Sequence, residues 1–243
     1  MIKAILFDLD DTIVAWDVVS DESWKQVCHQ FATQVEGLQA DKLYTAISET
    51  RGWYWSDPVR HRQGRVNLCA ARREVVSIAV ASLGINDCSL ANEIADSYGV
   101  EREKAAFLFP KVIDVLHHFR NCGLKLALVT NGSSDIQRGK IERFGLAPFF
   151  DSILIEGEFG IGKPDERFFC RALEQVNVTA PEACMIGDDL ERDIGGAQKL
   201  GIFGIWVDWR GGGLPKPTHI QPDGIIKTPS ELLQGTYSNF ILR

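Results

Sequence analysis

Hydrophobic period along this chain changes twice, and that change limits its fold more than any other feature. Residues 3–8 are a short apolar run ending in acid, the pattern of a buried strand. From about Trp16 to Phe107 only helical signals follow. Val76, Ala79, Val80 and Leu83 recur at i, i+3, i+4 and i+7 on one helix face, and Gly84 is placed to stop it. Further helices are predicted near residues 20–35, 40–51 and 89–106. Pro110 suits a first helical position, and Val112, Val115, Leu116 and Phe119 form the stripe of the helix after it, ended by Gly123.

Beyond that helix, strands and helices alternate. Residues 124–130 are apolar on both faces apart from Lys125, as in a parallel strand covered on each side. A helix is predicted over 134–144, a strand over 153–155 and a helix over 166–176. A strand over 183–187, a helix over 190–200 and a strand over 203–207 complete the series. The reading is a doubly wound, Rossmann-like α/β parallel-sheet core, residues 1–15 plus 105–243, interrupted by an α-helical domain over 16–104.

Composition narrows the classes of function. The 243 residues are 45% hydrophobic and 24% charged, which argues against disorder and fibrous repeats. A formal charge of −7 leaves no basic surplus for a nucleic-acid polymer. No apolar run approaches the roughly 18 residues of a membrane helix, and the start lacks the shape of a signal peptide. A soluble, cytoplasmic protein is expected, with no membrane partner. The six cysteines form no C-x-x-C pair and read as buried or half-buried thiols. Sequons at Asn131 and Asn177 read as chance.

In open parallel sheets ligands bind beyond the carboxyl ends of the strands. Those ends carry Asp8-Leu9-Asp10-Asp11-Thr12, then Thr130-Asn131-Gly132, then the run to Gly162-Lys163-Pro164, then Gly187-Asp188-Asp189 with Asp193. Asp8 and Asp10 point the same way while the chain stays extended. Carboxylates so crowded repel unless a cation sits among them, and an all-oxygen set suits Mg²⁺, whereas zinc would call for His or Cys. Any single acid here is accounted for by a helix N-cap or a solvated loop, as Asp11, Asp189 and Glu191 can be. Four such elements in order at strand ends are not.

These four motifs resemble those of the haloacid dehalogenase superfamily over the α/β core, and the insertion resembles its small helical (C1-type) cap. Within the superfamily the chain is similar to phosphatases of small phosphate monoesters, the group of acylneuraminate-9-phosphatase and the house-cleaning nucleotidases. The resemblance implies that Asp8 is the nucleophile and Asp10 the general acid and base. It also implies Mg²⁺ held by Asp8, the Asp10 backbone carbonyl and Asp188, with Asp193 as outer-shell anchor and Asp189 as the fallback. The Thr130 hydroxyl, backbone N–H groups near Asn131, and Lys163 would hold the phosphoryl group. The implied partner is a small phosphorylated metabolite, a sugar phosphate or a nucleotide monophosphate. The same motifs serve a phosphomutase. A 2-haloacid dehalogenase would need neither Mg²⁺ nor Asp10, and a non-catalytic binding protein would be free to lose motif positions that this chain keeps.

Two further segments have competing readings. Residues 157–164 come within one residue of a P-loop, but Pro164 replaces the hydroxyl residue that would meet Mg²⁺. Residues 51–73 hold six arginines against one acid, Asp57, beside Trp53 and Trp55. One reading is a solvated basic face that pairs with acids in the same domain. The other is a lid in which Trp53, Tyr54 or Trp55 packs on the leaving group while one or two arginines, Arg60 or Arg62 among them, meet an anionic substituent.

Overall fold

Apolar residues spaced for strands and apolar residues spaced for helices build separate cores. The computed structural model describes residues 1–235 and 241. The chain runs β1 (Ala4–Phe7), β2 (Val14–Ala15), α1 (Ser20–Ala32), α2 (Ala40–Ser56), α3 (Pro58–Val66), α4 (Leu68–Ser82) and α5 (Cys88–Ala105). It continues with β3 (Phe107–Leu108), α6 (Val112–Asn121), β4 (Lys125–Thr130), α7 (Ser134–Arg143), β5 (Ser152–Ile155) and α8 (Glu156–Phe159). The series ends with α9 (Glu166–Val176), β6 (Ala183–Gly187), α10 (Gly196–Gln198), β7 (Phe203–Val207) and β8 (Gly224–Ile226). Two compact units result, Met1–Ala15 with Phe107–Arg243, and Trp16–Ala106.

In the first unit six parallel strands lie in the order β5-β4-β1-β6-β7-β8. β1 is central, with Ala4 opposite both Lys125 and Ala183, so the order reverses beside it and its carboxyl end faces the crevice where ligands bind. Every residue of β1 is buried, as a strand covered on both faces requires. Ala4, Leu6, Ala127, Val129, Ala183 and Met185 pack against Phe168, Phe169, Ala172 and Val176 of α9. Burying each of those phenylalanines contributes about 1.5–3 kcal/mol. α6 covers β4 with the buried stripe Val112, Val115, Leu116 and Phe119.

The second unit is a helical bundle in which α1 packs on α2 and α5, and α4 on α2 and α5. Its core joins Trp24, Val27, Phe31, Leu43, Ile47, Val76, Val80 and Ile94. The Trp24 and Tyr98 rings stack with centroids 3.6 Å apart.

Several expectations shift. Helix α6 starts at Val112 rather than Pro110, because Lys111 takes a left-handed φ of 62°. The predicted helix over 190–200 is a π-helical turn, Leu190–Gly195, followed by α10. The short elements β2, β3, α3 and β8 were not anticipated. Helix α3 starts where Asp57 accepts hydrogen bonds from Val59 N and Arg60 N just before Pro58. Cys28 and Cys184 are buried, but Cys69, Cys88, Cys122 and Cys170 are exposed, against the expectation of buried or half-buried thiols. Among the described residues no helix is long and apolar enough to cross a membrane.

Candidate active site

Asp8 directly follows β1, and its backbone N–H donates to Ile186 O (2.9 Å), which ties it to β6. The strand ends at Phe7 because Leu9 O accepts from Ile13 N and Val14 N, folding the chain into a turn, with Asp11 at a φ of 55°. Asp10 therefore sits in that turn, not on an extended strand, and the two acids take different partners. Lys163 Nζ donates to Asp8 Oδ1 at 2.5 Å and lies 2.7 Å from Asp193 Oδ1. Asp8, Lys163 and Asp193 are 7%, 2% and 1% exposed, so this is a desolvated ion cluster rather than a surface pair.

The Lys163 backbone is held by the side chain of Asn131, the residue that follows β4. Asn131 Nδ2 donates to Lys163 O and Lys163 N donates to Asn131 Oδ1, each at 2.8 Å. A Cβ on Gly162 would stand 2.6 Å from Asn131 Oδ1 and 2.5 Å from Glu156 Cδ, so glycine is what lets this loop approach. Glu156, the first residue after β5, accepts from Gly132 N at 3.0 Å. That Gly132 N–H, expected near Asn131 for a phosphoryl oxygen, is taken up inside the protein. The near-P-loop stretch forms no cradle, since Glu156–Phe159 is a helical turn and Gly160 is left-handed.

After β6, Asp188 accepts from Trp209 Nε1 through Oδ2 (3.3 Å), and its backbone oxygen accepts from Trp206 Nε1 (2.7 Å). Asp189 caps the following turn, accepting from Glu191 N and Arg192 N and pairing with Arg192 Nη2 at 2.5 Å. Asp193 lies inside that π turn, a conformation that recurs at functional sites, and accepts from Asp189 N at 3.0 Å. Of the two alternative anchors, then, Asp193 reaches the cluster and Asp189 serves as a helix cap.

Carboxylate oxygens of Asp8, Asp188 and Asp193 lie within 4.8 Å of one another. Burial pushes the Asp8 carboxyl up to about 7; the Lys163 ammonium opposes the rise, and the charges of Asp193 and Asp10 add to it. Asp188 is held well above its ordinary value by burial and by Asp8 and Asp193. Asp193 is raised by burial against the pull of Lys163. Burial works against the Lys163 ammonium, but Asp193 and Asp8 outweigh it and hold it above its ordinary range. Three carboxylates facing one ammonium leave negative charge that a hard divalent cation fits, with oxygen donors of the kind Mg²⁺ takes.

A second network lies around Asp10. Lys140 Nζ donates to Asp10 Oδ1 and Oδ2 at 2.6 and 2.8 Å and to Gln137 Oε1 at 2.7 Å. Gln137 Nε2 lies 3.1 Å from Asp10 Oδ2, 2.5 Å from Thr130 Oγ1 and 3.0 Å from Asn131 O. Neither Gln137 nor Lys140 was predicted. Their i, i+3 spacing on the helix after Thr130 was a signal, but polar residues on a predicted helix read as a solvated face.

The remaining candidates lie in the helical unit. Arg60 stacks on Trp53 with its guanidinium carbon 3.9 Å from the ring centroid, and its Nη2 donates to Trp53 O. Trp55 meets Tyr54 and His61 edge-on, and Arg62 is exposed. Other arginines of this unit pair with its own acids, Arg73 with Asp96 and Arg51 with Asp21.

Comparison with known proteins agrees with this arrangement. The haloacid dehalogenase-like hydrolase profile matches residues 2–201. The phosphoserine phosphatase of Thermus thermophilus is 34% identical over 226 residues, 85% of this chain and 88% of its own. The glyceraldehyde 3-phosphate phosphatase of Methanopyrus kandleri is 31% identical over 96% of each chain. The magnesium-bound crystal structure of the hydrolase YfnB from Bacillus subtilis superposes with a TM-score of 0.72 at 24% identity, over 95% of this chain and 96% of that one, a likeness of fold. A six-stranded parallel sheet in this order, acids at its central strand ends and a match over four-fifths of the sequence lead to one assignment. This chain belongs to the haloacid dehalogenase-like hydrolase family.

Proposed function

We propose that the protein is a Mg²⁺-dependent phosphatase of small phosphate monoesters that works through an aspartyl-phosphate on Asp8. One observation carries the reading: buried Asp8 lies 2.5 Å from Lys163 in a cluster with half-buried Asp188 and buried Asp193, and a second acid, Asp10, is held two residues away by separate partners. An Asp8 oxygen attacks phosphorus, and the bond from phosphorus to the leaving oxygen breaks. Asp10 gives its proton to the leaving alkoxide, then takes one from the water that cleaves the acyl phosphate, returning Asp8 and free phosphate. Lys163 offsets charge on Asp8 and on the phosphoryl oxygens, and the Thr130 hydroxyl donates to one of them. Asp8, Asp188 and the Asp10 backbone carbonyl would hold Mg²⁺, with Asp193 supporting them. When bound, the ion offsets charge so that an anionic nucleophile can meet an anionic substrate.

Two relatives are named for phosphoserine and glyceraldehyde 3-phosphate, which supports a small phosphorylated metabolite as substrate. A dehalogenase has no use for Asp10 or the surplus acids. A phosphomutase would return the phosphoryl group and yield an isomer. The test is Mg²⁺-dependent phosphate release from phosphoserine, glyceraldehyde 3-phosphate, sugar phosphates and nucleoside monophosphates, with Asp8→Asn as control. No release from any of them, or equal release by the Asp8→Asn protein, overturns the proposal.

A further inference from the structure

We infer that Gln137 and Lys140 are positioning residues that set the Asp10 carboxylate and the Thr130 hydroxyl through a single hydrogen-bond network; this rests on the roles proposed above for those two groups. Both residues project from one face of α7, and they are 2% and 5% exposed. Burying an amide and an ammonium is costly unless their hydrogen-bonding capacity is used. Here it is used on residues of the site. The Lys140 ammonium donates to both Asp10 oxygens and to Gln137 Oε1.

That geometry also fixes the amide. An ammonium can only donate, so the Gln137 oxygen must face Lys140, and its NH₂ must face Asp10, Thr130 and Asn131. Thr130 Oγ1 therefore accepts from Gln137 Nε2, and its own proton must be donated elsewhere. In this structure it goes to Asn131 O, at a long 3.3 Å, so a nearby phosphoryl oxygen can compete for it. The Asp10 side chain is 27% exposed, and the Lys140 and Gln137 donors hold both of its carboxylate oxygens in place. One helix face thus sets the proton-transfer group and a phosphoryl donor together. Both Asp10 oxygens accept here, the form that takes a proton from water, and to deliver a proton to the leaving oxygen one of them gives up its Lys140 contact.

The test is steady-state kinetics with Mg²⁺ on the best substrate of the panel, comparing wild type with Lys140→Met, Gln137→Met and Lys140→Arg. Acid–base groups contribute about 10²–10⁴-fold, and misplacing one forfeits part of that. The expected result for Lys140→Met is a fall in kcat of about 30-fold or more, with KM and the Mg²⁺ Kd within about 3-fold of wild type. Lys140→Arg should recover about a third or more of the loss on a logarithmic scale, because a cation is kept at Asp10. In an Asp10→Asn background, Lys140→Met should cost less than about 3-fold in phosphoenzyme decay, since the group it positions is already lost. Gln137→Met keeps volume and removes both polar ends, so it tests the same network if Lys140→Met does not fold; it should also lower kcat rather than raise KM. An active wild type with an unchanged kcat in Lys140→Met or Gln137→Met overturns the inference alone, as does a full additional loss in the Asp10→Asn background. A wild type that releases no phosphate overturns the functional reading and this inference with it.

Discussion

Replacing Lys163 by methionine removes the ammonium that contacts both Asp8 and Asp193 while keeping most of the side-chain volume. Taking one partner from a buried ion pair costs about 3–5 kcal/mol, because the remaining charge stays desolvated. At about 2–4 °C per kcal/mol for a chain of this length, Tm should fall by roughly 6–20 °C in metal-free buffer at pH 7.5. The pH dependence has a definite sign. Lys163 has its folded value raised, so its stabilisation is present throughout the assay range and is lost only as pH climbs through that higher value. Asp8 and Asp193 are also raised, Asp8 to about 7, so below that pH they accept protons more readily when folded than when unfolded. Stability of the metal-free protein should therefore fall as pH rises from about 4 to about 7, because the unfolded chain gives up these protons first. The Lys163→Met deficit should grow over the same window as the carboxyls it leaves unpaired ionise. Urea unfolding followed by circular dichroism in EDTA at pH 5 and pH 7.5 measures both quantities. A deficit below about 1 kcal/mol at pH 7.5, or the same deficit at both pH values, refutes the reasoning.

Three further outcomes follow from the same geometry. Asp8→Asn should abolish turnover, whereas Thr130→Ala should raise the barrier in kcat/KM by about 2–4 kcal/mol, as for loss of one donor to developing charge; equal modest losses would contradict the roles assigned. Gly187→Ala places a Cβ 2.2 Å from Asp193 Oδ2, so it should displace that carboxylate and weaken Mg²⁺ binding by about tenfold or more, read by titration calorimetry. Mg²⁺ should bind more tightly at pH 8 than at pH 5.5 and release protons on binding, because Asp8 and Asp188 hold theirs to higher pH in the free site; an affinity flat across that range would count against those two residues as ligands.

The alternation of period past residue 105 made the parallel sheet legible, because β4 and β6 are buried on both faces and read as continuous apolar runs. Asp8, Thr130 and Asp188 were legible for a related reason, since each lies at or directly after the end of such a strand. Lys163 follows β5 only after a helical turn and a loop, and its motif located it where periodicity could not. Gln137 and Lys140 were missed because burial of a polar side chain on a helix depends on what the helix packs against, which spacing alone does not carry. Glu156 directly follows β5, so a carboxylate there fits the same strand-end rule, but its contact with Gly132 N depends on the fold of the loop after β4. β8 has three residues and β2 and β3 two each, too few for a period to register.

The central claim is that Asp8 carries the phosphoryl group. Acid-quenching a Mg²⁺ reaction with a monoester from the panel, followed by mass spectrometry of the digested protein, tests it directly, with Asp10→Asn used to slow breakdown of the intermediate. The account predicts a phosphoryl group on Asp8, present with substrate and absent in the Asp8→Asn protein. Phosphate release from the wild type with no label on Asp8, or with label on another residue, would contradict it.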